Sequence, residues 1–253
     1  MTTTDQPPEP TGPAAAPPTA YRRPLEQPGR AADRCVSRLQ LGYRQDNPAA
    51  VAELARLRRG AGRTAHTLQD HWGMGGLDEL ADILGDDTTG VRREHAEEAV
   101  YLAVTLWSLH QRSLRDSGMH QRGATLGGAV RTLMQKKGSP GGGSEERPDD
   151  PLRKRLVRVG TADTIASVAV RLREIVLLLR DGQVPLDYGR LADQLYRWQV
   201  PSGRAVVRRE WGREFHLAAP RRGSASRAGD AGGADAFDRD IGPDDPDDDR
   251  SGE

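Results

Sequence analysis

Arginine is the residue type whose repetition could do chemistry in this chain. Arg58 and Arg59 stand side by side, with Arg56 and Arg63 close by. Arg112 precedes Arg115 and Arg122; Arg153, Lys154 and Arg155 run together ahead of Arg158; Arg171 and Arg173 are two residues apart; Arg208, Arg209 and Arg213 close the series. A guanidinium offers a planar fork of donors that fits two phosphate oxygens at once. Arginines repeated along helix faces therefore suit a sugar–phosphate backbone held without regard to base identity. Salt weakens such a hold, because every phosphate neutralised releases condensed counterions. Any one cluster is also what a solvated helix face looks like, so the reading rests on the series.

Other chemistries find no support in the spacing. His66, His71, His95, His110, His120 and His216 form no paired-ligand motif, and Cys35 stands without a second cysteine, so neither a metal site nor a disulfide is expected. The Trp72-Gly73-Met74-Gly75-Gly76 stretch lacks the preceding strand and the Gly-Lys-Ser/Thr ending of a phosphate-cradling loop. It reads as an interhelical turn. The acid run Asp244–Asp249 lacks the turn glycine and terminal glutamate of a calcium loop. Glu97-Glu98 and Asp86-Asp87 are expected in solvent, where no low dielectric tunes them for acid–base work. No nucleophile elbow accompanies a histidine, and Cys35 is expected to pack as a small hydrophobe. No catalytic residue, cofactor or small-molecule substrate is indicated.

The elements that must position the arginines are helices. The 253 residues are 36% hydrophobic but only 4% aromatic, so the interior is built from Leu, Val, Ile and Ala, which suits helix packing and an all-α fold. Gly 29, Pro 17 and a mean hydropathy of -0.70 imply that much of the chain does not pack. The formal net charge is +0, yet residues 151–218 hold 13 basic and 7 acidic side chains while residues 219–253 hold 5 and 10. Such segregation is expected of a folded surface that meets an anionic partner. No apolar run approaches 18 residues, the longest purely aliphatic one being Ile175–Leu179, and no leader-like segment is expected. A reducing aqueous compartment, the cytoplasm, is the expectation, with no membrane contact.

Composition divides the chain into a disordered arm (1–30), an N-terminal helical lobe (31–135), a Gly-rich flexible linker (136–151), a C-terminal helical lobe (152–219) and a disordered acidic tail (220–253). Asn47-Pro48 predicts a capped helix start, followed by Val51, Leu54, Ala55 and Arg58 at helical spacing. Ala96, Ala99, Val100, Ala103, Trp107 and His110 form a second stripe, and Leu126, Ala129, Val130, Leu133 and Met134 a third, with Thr125 as its cap. Leu152, Leu156 and Val159 predict a short helix with Arg153, Lys154, Arg155 and Arg158 outward. Thr161 is expected to cap the next, whose stripe is Ile165, Val168, Leu172, Ile175, Val176 and Leu179, ending at Gly182. Asp187 caps a helix carrying Tyr188, Leu191, Leu195 and Trp198, which Pro201 stops. A last helix from Ser202 turns Val207, Trp211 and Phe215 inward. No sustained period-two alternation predicts a sheet.

These residues resemble the CasB family, the small subunit of the type I-E CRISPR Cascade surveillance complex. The similarity runs through Leu54-Ala55-Arg56-Leu57-Arg58-Arg59-Gly60, Leu109-His110-Gln111 and Thr125-Leu126-Gly127-Gly128-Ala129-Val130, then a block from Arg153 to Phe215. That block contains Thr161-Ala162-Asp163, Leu186-Asp187-Tyr188 and Arg208-Arg209-Glu210-Trp211-Gly212-Arg213-Glu214-Phe215. The resemblance implies two helical lobes in a bundle and two copies side by side beside the guide–target duplex and the displaced DNA strand. It further implies other Cascade subunits, the crRNA and the target DNA backbone as partners, and R-loop stabilisation in antiviral defence without catalysis. Backbone contacts would fall on Arg58, Arg59, Arg112, Arg153, Lys154, Arg155, Arg171 and Arg173. Two rival readings are a helical DNA-binding transcription regulator and a helical protein–protein adaptor. The first would need base-reading polar residues on a recognition helix, which the Leu/Val/Ile-rich stretch after Thr161 does not offer.

Overall fold

Side-chain caps and apolar stripes place the helices nearly where local chemistry demands. The computed structural model describes residues 23–65, 75–84, 90–137 and 150–217. In them α1 spans Gln27–Arg44, α2 Pro48–Leu57, α3 Leu77–Leu84, α4 Val91–Gln111, α5 Leu126–Lys137, α6 Pro151–Gly160, α7 Ile165–Asp181, α8 Tyr188–Trp198 and α9 Pro201–Leu217. A 3₁₀ turn, Arg58–Gly60, follows α2. The fold is all-α: the sole β feature among the described residues is an isolated bridge between His120 and Leu186. The expectations for residues 1–22, the greater part of the 136–151 linker, the 220–253 tail, His66, His71, Trp72–Met74 and Asp86-Asp87 lie outside the described residues.

The Asn47 side chain accepts from the N–H groups of Ala49 and Ala50, with Pro48 at the first helical position, as the Asn-Pro pair predicts. Asp187 accepts from Arg190 N at 2.9 Å to start α8, and Thr125 Oγ1 from Gly128 N at 3.2 Å to start α5. Two boundaries differ. The cap of α7 is Thr164, which accepts from Ser167 N at 3.1 Å, and Thr161 instead follows the end of α6. Both threonines precede the same apolar stripe, and the turn through Ala162 and Asp163 decides which one reaches the free N–H. α1 begins at Gln27, inside the segment expected as an arm. Its start is held by Asp193, a residue far along the chain that no local pattern exposes.

α4 occupies the centre, with every residue from Ala99 to Gln111 buried. α1, α2, α3, α7 and α8 all pack against it, which explains why it is apolar on every face rather than along one stripe. Three of its buried polar side chains are bonded inside the fold: Thr105 Oγ1 donates to Tyr101 O at 2.8 Å, Ser108 Oγ to Thr105 O at 2.6 Å, and His110 Nδ1 meets the Tyr188 hydroxyl at 2.7 Å. Burial pushes the His110 pKa down to about 3, so the ring is neutral in this apolar setting. The α7 stripe of Val168, Leu172, Ile175, Val176 and Leu179 is 0% exposed, and each such side chain contributes roughly 1.5–3 kcal/mol of transfer free energy. Helices from both expected lobes join one apolar cluster, because α8 lies against α1 and α4 while α7 lies against α4. No helix among the described residues is long and apolar enough to cross a membrane.

Candidate nucleic-acid interface

The arginine surface is built by subtraction: four of the seven acids in residues 151–218 are engaged inside the fold, while Asp163, Glu174 and Asp181 stay exposed. Asp187 caps α8 and also accepts from Gly123 N at 2.6 Å. Asp193 accepts from Glu26 N and Gly29 N at 2.8 and 2.6 Å. Glu210 pairs with Arg197 at 2.6 Å and Glu214 with Arg190 at 3.0 Å. Burial works against the Glu210 charge, but the Arg197 bond outweighs it and holds the carboxyl below its ordinary range. Burial dominates at Glu214 and raises it. With four acids turned inward, the outer faces of α6, α7 and α9 are left mainly cationic.

The eight sequence-predicted residues fall into three places. Lys154 lies on α6 opposite Leu152, Leu156 and Val159, with Arg153 and Arg155 half-buried on the two flanks of that stripe, and Arg171 of α7 reaches the same helix by donating to the Arg158 carbonyl. Arg208 of α9 extends this edge, its guanidinium reaching the Ala162 carbonyl at 3.5 Å. Arg173, two residues beyond Arg171 and so about 200° around the helix, points elsewhere. Its stem lies over Gly62, immediately after the 3₁₀ turn that carries Arg58 and Arg59. Arg112 stands apart at the end of α4, exposed, near Arg115, whose guanidinium lies 5.0 Å over the Tyr43 ring. Apart from Lys154, none of the eight forms an ion pair among the described residues.

Sequence reasoning misses a further basic face. Arg30, Arg34 and Arg44 are exposed on α1 and share one edge, being four and fourteen residues apart. The spacing carries that signal, but residues 31–135 balance their charges and Arg30 falls in the segment whose composition reads as an arm. Beside this edge runs a groove of about 560 Å³ lined by Ser37, Gln40, Leu41, Arg44, His120, Gln121 and Arg122. Arg122 is already engaged, donating to both Asp33 oxygens at 2.8 and 2.5 Å.

The remaining titratable groups serve packing. Cys35 is buried, and its thiol is pushed well above the ordinary range by that burial. Glu98, expected in solvent, is instead 1% exposed, and its carboxylate accepts from Ala65 N at 2.9 Å; enclosure of α4 on all sides leaves this position no route to water. Glu97 is half-buried. Among the described residues no group of three or more His, Cys, Asp or Glu is placed to hold a metal ion. The arrangement supplies fixed cations on rigid helices, which suits retention of a polyanion.

Comparison with known proteins gives three findings. The family model described as CRISPR-associated protein Cse2 matches residues 53–216. The crystal structure of CasB from Thermobifida fusca is similar at 46% sequence identity and a TM-score of 0.63, over 76% of this chain and 99% of that one. A chain of a CRISPR RNA-guided surveillance complex shares the fold at 24% identity and a TM-score of 0.50, over 76% of this chain and 94% of that one. No curated protein matches.

Proposed function

We propose, since the chain belongs to the CRISPR-associated protein Cse2 family, that it is the non-catalytic small subunit of a type I-E Cascade surveillance complex. In this reading it works in the cytoplasm beside a second copy of itself and the other Cascade subunits. It grips the sugar–phosphate backbone of the guide–target duplex and the displaced strand, stabilising the R-loop in antiviral defence. Base pairing between guide and target reads sequence, so the protein needs only charge and shape. The observation that carries the reading is the cationic edge of α6 and α7, where Arg153, Arg155 and Arg171 have no acidic partner among the described residues. The crRNA and target DNA backbone are its ligands, with no cofactor.

The test is charge reversal of Arg153→Glu, Lys154→Glu and Arg155→Glu together in the assembled complex. Target-DNA retention should fall, and the dependence of log affinity on log salt should flatten by about 0.9 for each duplex phosphate that is no longer neutralised. Far-ultraviolet circular dichroism should stay unchanged. Wild-type retention across the titration would remove these residues from the interface. Copurification of the chain with crRNA and other Cascade subunits tests the assembly itself. A marked sequence preference by the isolated chain in gel shifts would favour a transcription regulator, and no nucleic-acid binding in any setting would favour a protein adaptor.

A further inference from the structure

Four arginines converge on one turn, and a glycine determines whether they can. The chain leaves α2 through the 3₁₀ turn Arg58–Gly60, and the turn is closed by Ala61 N donating to Arg58 O at 3.3 Å and Arg63 N to Gly60 O at 3.0 Å. Gly62 follows with φ +83°, the left-handed region that glycine occupies without steric cost. Arg173 crosses from α7 at this point. A Cβ placed on Gly62 would stand 2.6 Å from Arg173 Cδ, 3.2 Å from its Cβ and 3.4 Å from its Cγ. The aliphatic stem therefore rests in the space a side chain would fill. α7 cannot shift to compensate, since its neighbouring Leu172, Ile175 and Val176 are 0% exposed.

We infer that Gly62 is a positioning residue for Arg173, its missing side chain letting the Arg173 guanidinium lie beside Arg58, Arg59 and Arg63 as one four-arginine clamp for a phosphate backbone. Cations gathered this way repel one another, so geometry must be imposed on them. Among the described residues, Glu98 is committed to Ala65 N at 2.9 Å, and Glu174, which follows Arg173, is exposed. Neither forms an ion pair with Arg58, Arg59 or Arg173. The inference rests on the nucleic-acid reading above and adds to it a residue without charge of its own.

The informative substitution is Gly62→Asn. Asparagine tolerates the left-handed backbone, so the turn is kept while a Cβ and amide displace the Arg173 stem. Binding of the full-length chain to a fluorescein-labelled mixed-sequence DNA duplex is measured over a salt series, with Arg173→Ala and the double variant alongside. Gly62→Asn should flatten the salt slope by about 1, as Arg173→Ala does, and the double variant should lose no more than either single one. Urea midpoints should show Arg173→Ala partly restoring the stability that Gly62→Asn costs, since it removes the clash; Gly62→Ala serves as the second variant if Gly62→Asn does not fold. A wild-type slope for folded Gly62→Asn, beside a flattened slope for Arg173→Ala, overturns the positioning role. A wild-type slope for Arg173→Ala instead removes Arg173 from the interface and overturns the clamp, while the nucleic-acid reading itself falls only if charge reversal at Arg153, Lys154 and Arg155 also leaves binding unchanged.

Discussion

The Asp193 carboxylate accepts from the backbone N–H of Gly29 at 2.6 Å, so a side chain on α8 caps α1 across a separation of 164 sequence positions. The same carboxylate takes Glu26 N at 2.8 Å. α1 has no capping side chain of its own at Glu26, and the first N–H groups of any helix lack intrahelical partners. Asp193→Ala should therefore abolish hydrogen-exchange protection at Glu26 and Gly29 while leaving the α8 core amides slow. The global cost is about 1 kcal/mol by urea denaturation. Unchanged exchange at both amides would show that α1 holds its start without this contact.

Burial pushes the Asp193 carboxyl up to about 6, against the pull of the Glu26 and Gly29 N–H bonds. An acid whose folded pKa lies above its unfolded value binds more protons when folded. Its contribution is complete below about pH 4 and is lost as pH rises through about 6. Glu214, raised by burial, acts in the same direction. Asp33 acts oppositely: burial opposes its charge, but His120 and Arg122 outweigh burial and hold it low, so its contribution is lost only on acidification below about pH 4. Asp193 should thus remove up to about 3 kcal/mol of stability between pH 4 and pH 7, against His110, whose pKa burial pushes down to about 3 and whose contribution therefore grows with pH over the same range. Asp193→Asn should remove that loss, so that stability rises more steeply with pH than in the parent chain. Equal pH profiles for the two proteins would refute the assignment.

His120 is held between two elements, Nδ1 accepting from Tyr188 N at 3.2 Å and Nε2 meeting Asp33 at 3.1 Å. The hydrogen therefore sits on Nε2 and is donated to the carboxylate. Asp33→Ala strands that buried donor and frees Arg122, at a cost of about 1–3 kcal/mol, whereas Asp33→Asn, which keeps an acceptor, should cost less. Thermal or urea unfolding of the two variants measures the difference, and equal losses would mean the hydrogen bond is not what the site provides.

Two glycines on neighbouring helices should respond in opposite senses. A Cβ on Gly127 of α5 would meet the Trp211 carbonyl oxygen and stand 2.5 Å from Phe215 N, both of them α9 backbone atoms. One on Gly212 would meet nothing within 4 Å. Gly127→Ala should cost about 1–3 kcal/mol by forcing α5 and α9 apart. Gly212→Ala should gain about 0.5–1 kcal/mol from helix propensity. Denaturation midpoints of the two variants decide it, and a stabilised Gly127→Ala would show that the helices separate freely.

The all-α class, the stripes of α5, α7 and α8 and the caps at Asn47, Thr125 and Asp187 can be read from the order of residues, because each depends on side chains within one or two turns of one another. Membership of the Cse2 family is legible for the same reason, in the order and spacing of short segments from Leu54 to Phe215. The parts played by Asp193, Glu98 and Gly62 emerge only when the helices pack. Asp193 caps a helix it meets only after folding, Glu98 is buried because five helices enclose α4, and Gly62 matters because Arg173 arrives from α7. The chain specifies which arginines exist, but which of them stand together depends on how α7 divides Arg171 and Arg173 between the α6 edge and the turn after α2. Local propensity acts over a few residues, whereas burial and charge proximity are set by contacts that sequence separation does not encode.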